Sequence, residues 1–184
     1  MRKLCFAALC LFGGALSAET IGNVEFQFPP SPYSWVLMTD TSTYPMLEEG
    51  DEVPFAMKMY THKVGDTLEF FTATTFFDEE GEEDAGDDSE PFETSRFAQL
   101  FINDLLGAYF PNHRITISNL TETRDAGLLE WEMSDGVQLI LHGVCRYLRT
   151  NQKDVILNYT TTSSKTAQNT ALWLDALNEA KCIE

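Results

Sequence analysis

Three apolar runs follow one another between Ala126 and Ser163, in the segment AGLLEWEMSDGVQLILHGVCRYLRTNQKDVILNYTTTS. The first two runs are separated by Asp135-Gly136, and the second and third by the polar residues 150–153. An Asp-Gly pair suits a two-residue type I′ turn, because both of its central positions take positive φ. The segment therefore predicts an antiparallel meander.

The predicted turn also fixes a register, in which Ser134 pairs with Val137 and Trp131 lies opposite Ile140. One face of the sheet then carries a continuous set of core residues: Leu129, Trp131, Met133, Ile140, Val144, Leu148, Val155, Leu157 and Tyr159. The opposite face carries a second apolar set: Leu139, Leu141, Cys145, Tyr147 and Ile156. A sheet that is apolar on both faces needs cover on both sides.

The second hairpin is predicted to turn at Asn151-Gln152, which sets Arg149 opposite Asp154. Opposite charges at directly paired positions attract, and an exposed pair contributes at most about 1 kcal/mol. The predicted register is thus compatible with the charges of the two strands.

Upstream of the meander, the alternation of apolar and polar residues predicts two short strands, a long hairpin and a further strand. Their predicted bounds are Ile21 to Phe28, Trp35 to Met38, Phe55 to Val64 with Thr67 to Phe77, and Arg114 to Thr121. Two helices are predicted from apolar stripes, one over about 93–110 and one from about Thr166. Their stripes are Phe97, Leu100, Phe101 and Leu105, and Thr170, Trp173, Leu174, Leu177 and Lys181.

The N-terminal segment has the pattern of a secretory signal peptide. Basic residues at 2–3 precede an apolar run at 4–16, which is followed by small residues, and cleavage is expected after Ser17 or Ala18. The run is too short for a membrane span, which takes about 20 residues. We therefore expect residues 1–18 to be removed and 19–184 to form one exported domain, periplasmic or secreted.

Export leaves Cys145 and Cys182 in a compartment that permits disulfides. A bridge between them would place the last helix over the face of Leu139, Leu141 and Cys145, and would contribute about 2–4 kcal/mol. The alternative is two free thiols.

The chain is an acidic protein, with 12 basic and 29 acidic residues and a net charge of −17. Such a surface repels nucleic acid and anionic lipid, so a protein partner is expected and a nucleic-acid partner is not. The acidic residues concentrate at 78–90, DEEGEEDAGDDSE, which lacks the alternating ligands of a helix-loop-helix calcium site. It is predicted to be a solvated, flexible loop, with weak calcium binding or docking of a basic partner as alternatives.

These elements predict an α+β fold, in which an antiparallel sheet, made of a hairpin and a meander, is flanked by two helices. In element order and size the chain resembles the PsbP-like family, which includes photosystem II extrinsic proteins and bacterial DcrB-like envelope proteins. The residues that carry the likeness are Tyr33-Ser34-Trp35, the helix Phe97 to Leu106 and the closing run Tyr159 to Leu177. The resemblance implies an α/β/α sandwich and an accessory or binding role. It carries over no functional residue.

Catalytic chemistry has little support in the sequence. The three histidines, His62, His113 and His142, stand outside any HExxH motif, and no GxSxG elbow is present. No catalytic, cofactor-binding or metal-binding residue is assigned. The favoured interpretation is an exported, non-catalytic accessory or protein-binding domain of the bacterial envelope or secreted fraction. The alternative is a small hydrolase or ligand-binding domain with a pocket near His142, Arg146 and Tyr159.

Overall fold

The structure is a computed structural model in which a large antiparallel sheet packs against a small sheet and a helix. It describes residues 18–21, 24–29, 35–41, 55–64, 66–77, 112–123, 125–149, 153–162 and 167–183. The strands are β1 (Ala18–Ile21), β2 (Val24–Gln27), β3 (Val36–Asp40), β4 (Phe55–Val64), β5 (Thr67–Phe77), β6 (Arg114–Glu122), β7 (Ala126–Ser134), β8 (Leu139–Arg149), β9 (Lys153–Thr161) and β10 (Lys181–Cys182). The helix described is α1 (Ala167–Asn178).

The large sheet has seven strands in the order β3-β4-β5-β9-β8-β7-β6, and each neighbouring pair is antiparallel. The predicted long hairpin is confirmed as β4 and β5, and the predicted meander is confirmed as β6 to β9. The hairpin joins the meander through the pairing of β5 with β9. Among the described strands, β3 and β6 therefore lie at the two edges of the sheet.

The predicted register between β7 and β8 is wrong, because the turn is longer than two residues. The Asp135 carboxylate accepts hydrogen bonds from the backbone N–H groups of Val137, at 2.8 Å, and Gln138, at 2.9 Å. Ser134 therefore pairs with Leu139 instead of Val137. A bulge at Ile140 adds a further shift, so that Trp131 lies opposite Gly143, three residues beyond the predicted partner.

Side chains alternate between the two faces of a strand. A register shift of three residues therefore moves each side chain of β7 to the face opposite to the predicted one, relative to β8 and β9. The face called inner here carries Val144, Leu148, Val155, Leu157 and Tyr159, as predicted. The face called outer carries Leu129, Trp131 and Met133 together with Cys145, Tyr147 and Ile156. The residues of β7 that were assigned to the first apolar set thus belong to the second.

The register of the second predicted hairpin is confirmed. Arg149 pairs with Asp154, and the Arg149 Nε lies 3.6 Å from the Asp154 Oδ1. The sequence thus predicted the register correctly for the hairpin of β8 and β9 but not for the hairpin of β7 and β8.

The inner face is covered by α1 and by a small sheet of order β1-β2-β10. Trp173 and Leu177 of α1 and Val24 and Phe26 of β2 are all buried in the inner-face core. The predicted strand at 21–28 corresponds to β2, and it pairs with β1, which was not predicted. β10 was not predicted. Its residues Lys181 and Cys182 pair with Glu25 and Val24 of β2, which lie far from them in the sequence.

The predicted α+β class, with a sheet flanked by two helices in an α/β/α sandwich, is wrong. The described residues are predominantly antiparallel strands with one helix, and that helix shares the inner face with a second sheet. The predicted helix at 93–110 and the acidic loop at 78–90 lie outside the described residues. Among the described helical residues, no segment is long and apolar enough to cross a membrane.

Candidate functional site

A row of polar side chains crosses four neighbouring strands on the inner face. Paired positions place His62 of β4 beside Glu69 of β5, Glu69 beside Thr161 of β9, and Thr161 beside His142 of β8. Each of these side chains is at most 6% exposed. Buried polar groups of this kind need hydrogen-bond partners to offset the loss of water.

Glu69 is held by partners on two neighbouring strands. Its Oε1 accepts a hydrogen bond from the Tyr159 hydroxyl at 2.8 Å, and its Oε2 lies 3.2 Å from the His62 Nδ1. The His62 ring lies 5.2 Å from the Trp35 ring. The carboxylate is thereby fixed within the sheet, beneath aromatic rings.

Helix α1 covers the other half of the row. The Thr170 Oγ1 lies 3.5 Å from the His142 Nδ1, and both side chains are buried. The Trp173 ring stacks on the Tyr159 ring at 4.3 Å with an interplanar angle of 11°. The row is therefore a packed part of the core.

The residues of the predicted pocket, His142, Arg146 and Tyr159, all lie on the inner face. Trp173 and Thr170 occupy the space above Tyr159 and His142, so a pocket between them would require α1 to move away. Burial of the Arg146 guanidinium lowers its pKa, and the nearby Cys182 opposes that shift. The geometry brings the three residues to one face without opening a cleft over Tyr159.

The predicted bridge between Cys145 and Cys182 is not formed, and both thiols are free. Cys145 is buried on the outer face, whereas Cys182 lies on β10, in the sheet that covers the inner face. The bridge would have placed α1 over the face of Cys145, but the helix packs over the opposite face. The face of Cys145 itself, opposite to that of Val144, was predicted correctly. Burial raises the pKa of the Cys145 thiol.

The edge strand β3 exposes three consecutive apolar side chains, Val36 at 55%, Leu37 at 47% and Met38 at 59%. β3 pairs with β4 on one side, and within the described chain it has no strand on the other. The opposite edge, β6, instead exposes Arg114 and Thr116. The two edges of one sheet thus differ in the surface that they offer.

The sequence contained some of these signals. The confirmed β4 and β5 hairpin places His62 opposite Glu69, so this pair follows from the strand bounds and the turn. The edge position of β3 could not be predicted in this way. It depends on the order of the strands in the sheet, which includes the pairing of β5 with β9, two strands that are distant in sequence. In the described part of the chain, no group of three or more His, Cys, Asp or Glu side chains could hold a metal ion.

Comparisons with known proteins leave the chain without an assigned family. No protein-family model matches it, and no curated protein sequence matches it. Among solved structures, it is similar to the Saccharomyces cerevisiae Ran-binding protein Mog1p, with a TM-score of 0.48 and 11% sequence identity, over 89% of this chain and 92% of that chain. A likeness of this size assigns neither a fold family nor a partner, and the resemblance to PsbP-like proteins stays a prediction.

Proposed function

We propose that the chain is an exported, non-catalytic domain that binds another protein of the bacterial envelope or secreted fraction through the edge of β3. The observation that carries the proposal is the exposure of Val36, Leu37 and Met38 on one edge of the large sheet. An unprotected edge strand with exposed apolar side chains is a ready template for pairing with another chain.

The packing of the inner face supports a binding role over a catalytic one. Its most reactive groups, His62, Glu69 and His142, are buried among strands and helix α1. A substrate would have to displace Trp173, which packs against several aromatic side chains. By contrast, the edge of β3 is accessible without any rearrangement.

Export is supported by the signal-like segment at the N-terminus. Cleavage after Ser17 would leave Ala18, which is the first residue of β1 and pairs with Gln27. A mature chain produced in this way would keep β1 complete.

Position-specific cross-linking tests the proposed function. A benzophenone-bearing amino acid in place of Met38 should give a discrete adduct with one polypeptide of the exported fraction. The same amino acid in place of Thr116, on the opposite edge, is the control and should give none. An absence of adducts from position 38, or the same adducts from both positions, would refute binding at β3.

A further inference from the structure

We infer that the segment bound by β3 is an extended stretch of a second, basic protein, which adds to the large sheet as an eighth strand. Its central residues would be apolar and its flanking residues Lys or Arg. The inference rests on the proposed function and specifies the chemistry of the partner at the same edge.

The backbone of β3 is suited to adding a strand. Its pairing with β4 continues past the strand, because the Thr41 N–H donates to the Met57 carbonyl at 2.9 Å. The edge is therefore held in an extended conformation before a partner arrives. Strand addition uses main-chain hydrogen bonds for affinity and alternate side chains for specificity.

The side chains of β3 indicate an apolar centre for the added strand. Leu37 pairs with Tyr60 and so lies on the inner face, where the half-buried Trp35 continues the aromatic core to the edge. Val36 pairs with Thr61 and lies on the outer face. An added strand would thus meet apolar surface of β3 on both faces of the sheet. Apolar side chains at the centre of the added strand would bury that surface.

Proteins usually protect edge strands with charged side chains, proline or bulges. In β3 the only such device within the exposed run is the bulge at Met38, and the charged residue, Asp40, stands at the end of the strand. β6 carries Arg114, Thr116 and Ser118 along its exposed side. The exposed apolar run of β3 thus has a bulge but no charged side chain, whereas the charged Arg114 lies on the exposed side of β6. This difference favours β3 over β6 as the edge that pairs with a partner.

Charge selects a basic partner over a second copy of this chain. The net charge of −17 makes two copies repel each other, whereas it attracts a basic segment. Near the edge, the Lys58 Nζ lies 3.9 Å from the Asp40 Oδ2, so these two local charges offset each other. The net negative charge of the whole chain then determines which partners are attracted to the edge. We therefore place the Lys or Arg residues outside the apolar centre of the bound segment.

Designed peptides test the binding mode directly. The probe is a ten-residue peptide with two lysines at each end and alternating valine and leucine between them, labelled for fluorescence anisotropy. Two further versions of the peptide carry backbone N-methyl groups in the central six residues. In one version the first, third and fifth of these residues are methylated, and in the other the second, fourth and sixth. A third has glutamate in place of every lysine.

Because only alternate amides of an added strand face the edge, one N-methylated version should lose binding and the other should keep it. The glutamate peptide should not bind. Leu37→Lys should weaken binding about tenfold or more, and Thr116→Lys, which changes the net charge equally, should have less than about a twofold effect.

Each of the following results would overturn the inference. Equal binding of the two N-methylated versions, or equal effects of Leu37→Lys and Thr116→Lys, would indicate nonspecific attraction to an acidic surface. Binding of the glutamate peptide would exclude charge selection. A dimer in sedimentation that Leu37→Lys dissociates would assign the edge to a second copy. If the peptides fail while the cross-link from position 38 persists, strand addition is wrong and protein binding stands.

Discussion

The indole of Trp131 reaches across β8 and donates a hydrogen bond from Nε1 to the Oδ1 of Asn158, at 3.1 Å. Asn158 in turn donates from Nδ2 to the Thr160 Oγ1, also at 3.1 Å. Gly143 lies beneath the ring, since it pairs with Trp131 on one side and Thr160 on the other. The outer face of three strands is therefore tied together by one aromatic side chain.

The first prediction concerns this hydrogen bond. Trp131→Phe removes the donor and leaves the half-buried Asn158 with one bond fewer. A double-mutant cycle with Asn158→Ala should give a coupling of about 1 kcal/mol in urea unfolding. Additive effects of the two changes would show that the hydrogen bond contributes nothing to stability.

Gly143→Ala should be strongly destabilising. A Cβ at this position would lie 2.7 Å from the Trp131 Cζ2 and would also clash with the backbone carbonyl of Tyr159. Overpacking in a well-filled site costs about 1–3 kcal/mol or more, and the carbonyl cannot move without breaking the sheet. Adding Trp131→Leu should not restore the melting temperature, because the backbone clash remains. A Gly143→Ala variant as stable as the parent would contradict the close approach of the strands.

Tyr159→Phe should cost about 1.5–3 kcal/mol, because it removes a hydrogen bond to a buried carboxylate. The ring stacking on Trp173 is kept, which isolates the hydroxyl. The measurement is urea unfolding at neutral pH, with Glu69→Gln as the second arm of a cycle. In the Glu69→Gln background the cost of losing the hydroxyl should be smaller, since the acceptor is no longer a carboxyl group. An unchanged cost would argue against a charged acceptor.

Thiol labelling should separate the two cysteines of a chain that starts at Ala18, the first residue of β1. Cys145 is buried and burial raises its pKa, so it should react only on unfolding. Cys182 is exposed and should react in the native state. Its pKa is raised by partial desolvation, which Arg146 opposes, so the rate should increase as pH rises above neutrality. One labelled thiol before unfolding and two after is the expected count, and a disulfide would give none.

Acid should loosen the turn between β7 and β8. The N–H groups of Gln138 and Val137 lower the pKa of Asp135 below its usual 3.8, because they bond the charged form. A carboxyl whose pKa is lower when folded stabilises the protein above its unfolded pKa. That contribution is lost as pH falls through the folded value. Asp135→Asn should therefore flatten the acid limb of the stability curve. An identical limb in both proteins would contradict the role of the carboxylate.

Most strands of the large sheet could be predicted from the sequence, since periodicity in Phe55–Val64, Thr67–Phe77 and the meander is strong. Helix α1 was also predicted, with Trp173 and Leu177 on its buried side. Of the small sheet, β2 was predicted, within the strand at 21–28, because Val24 and Phe26 alternate with polar residues. β1 and β10 were missed, because four and two residues carry too little alternation to be recognised.

The main error in the register of the sheet came from a single turn. Asp135-Gly136 satisfies the composition of a two-residue turn, yet Asp135 stabilises a longer one through its own side chain, and Gly136 takes a φ of 89° within it. The alternation of apolar residues could not correct this, because both faces of β8 are apolar. The register error put Leu129, Trp131 and Met133 on the wrong face of the sheet. The wrong side for α1 came from the predicted disulfide, which would have tied Cys182 to Cys145.

The pairing of β2 with β10 has a consequence for when the chain can fold. Val24 pairs with Cys182, so the small sheet joins residues that are far apart in the sequence. Contacts of such sequence separation form late and slow the folding of a domain. Val24 is also buried in the inner-face core, so that core is completed only when the segment around Cys182 has been made and has reached β2.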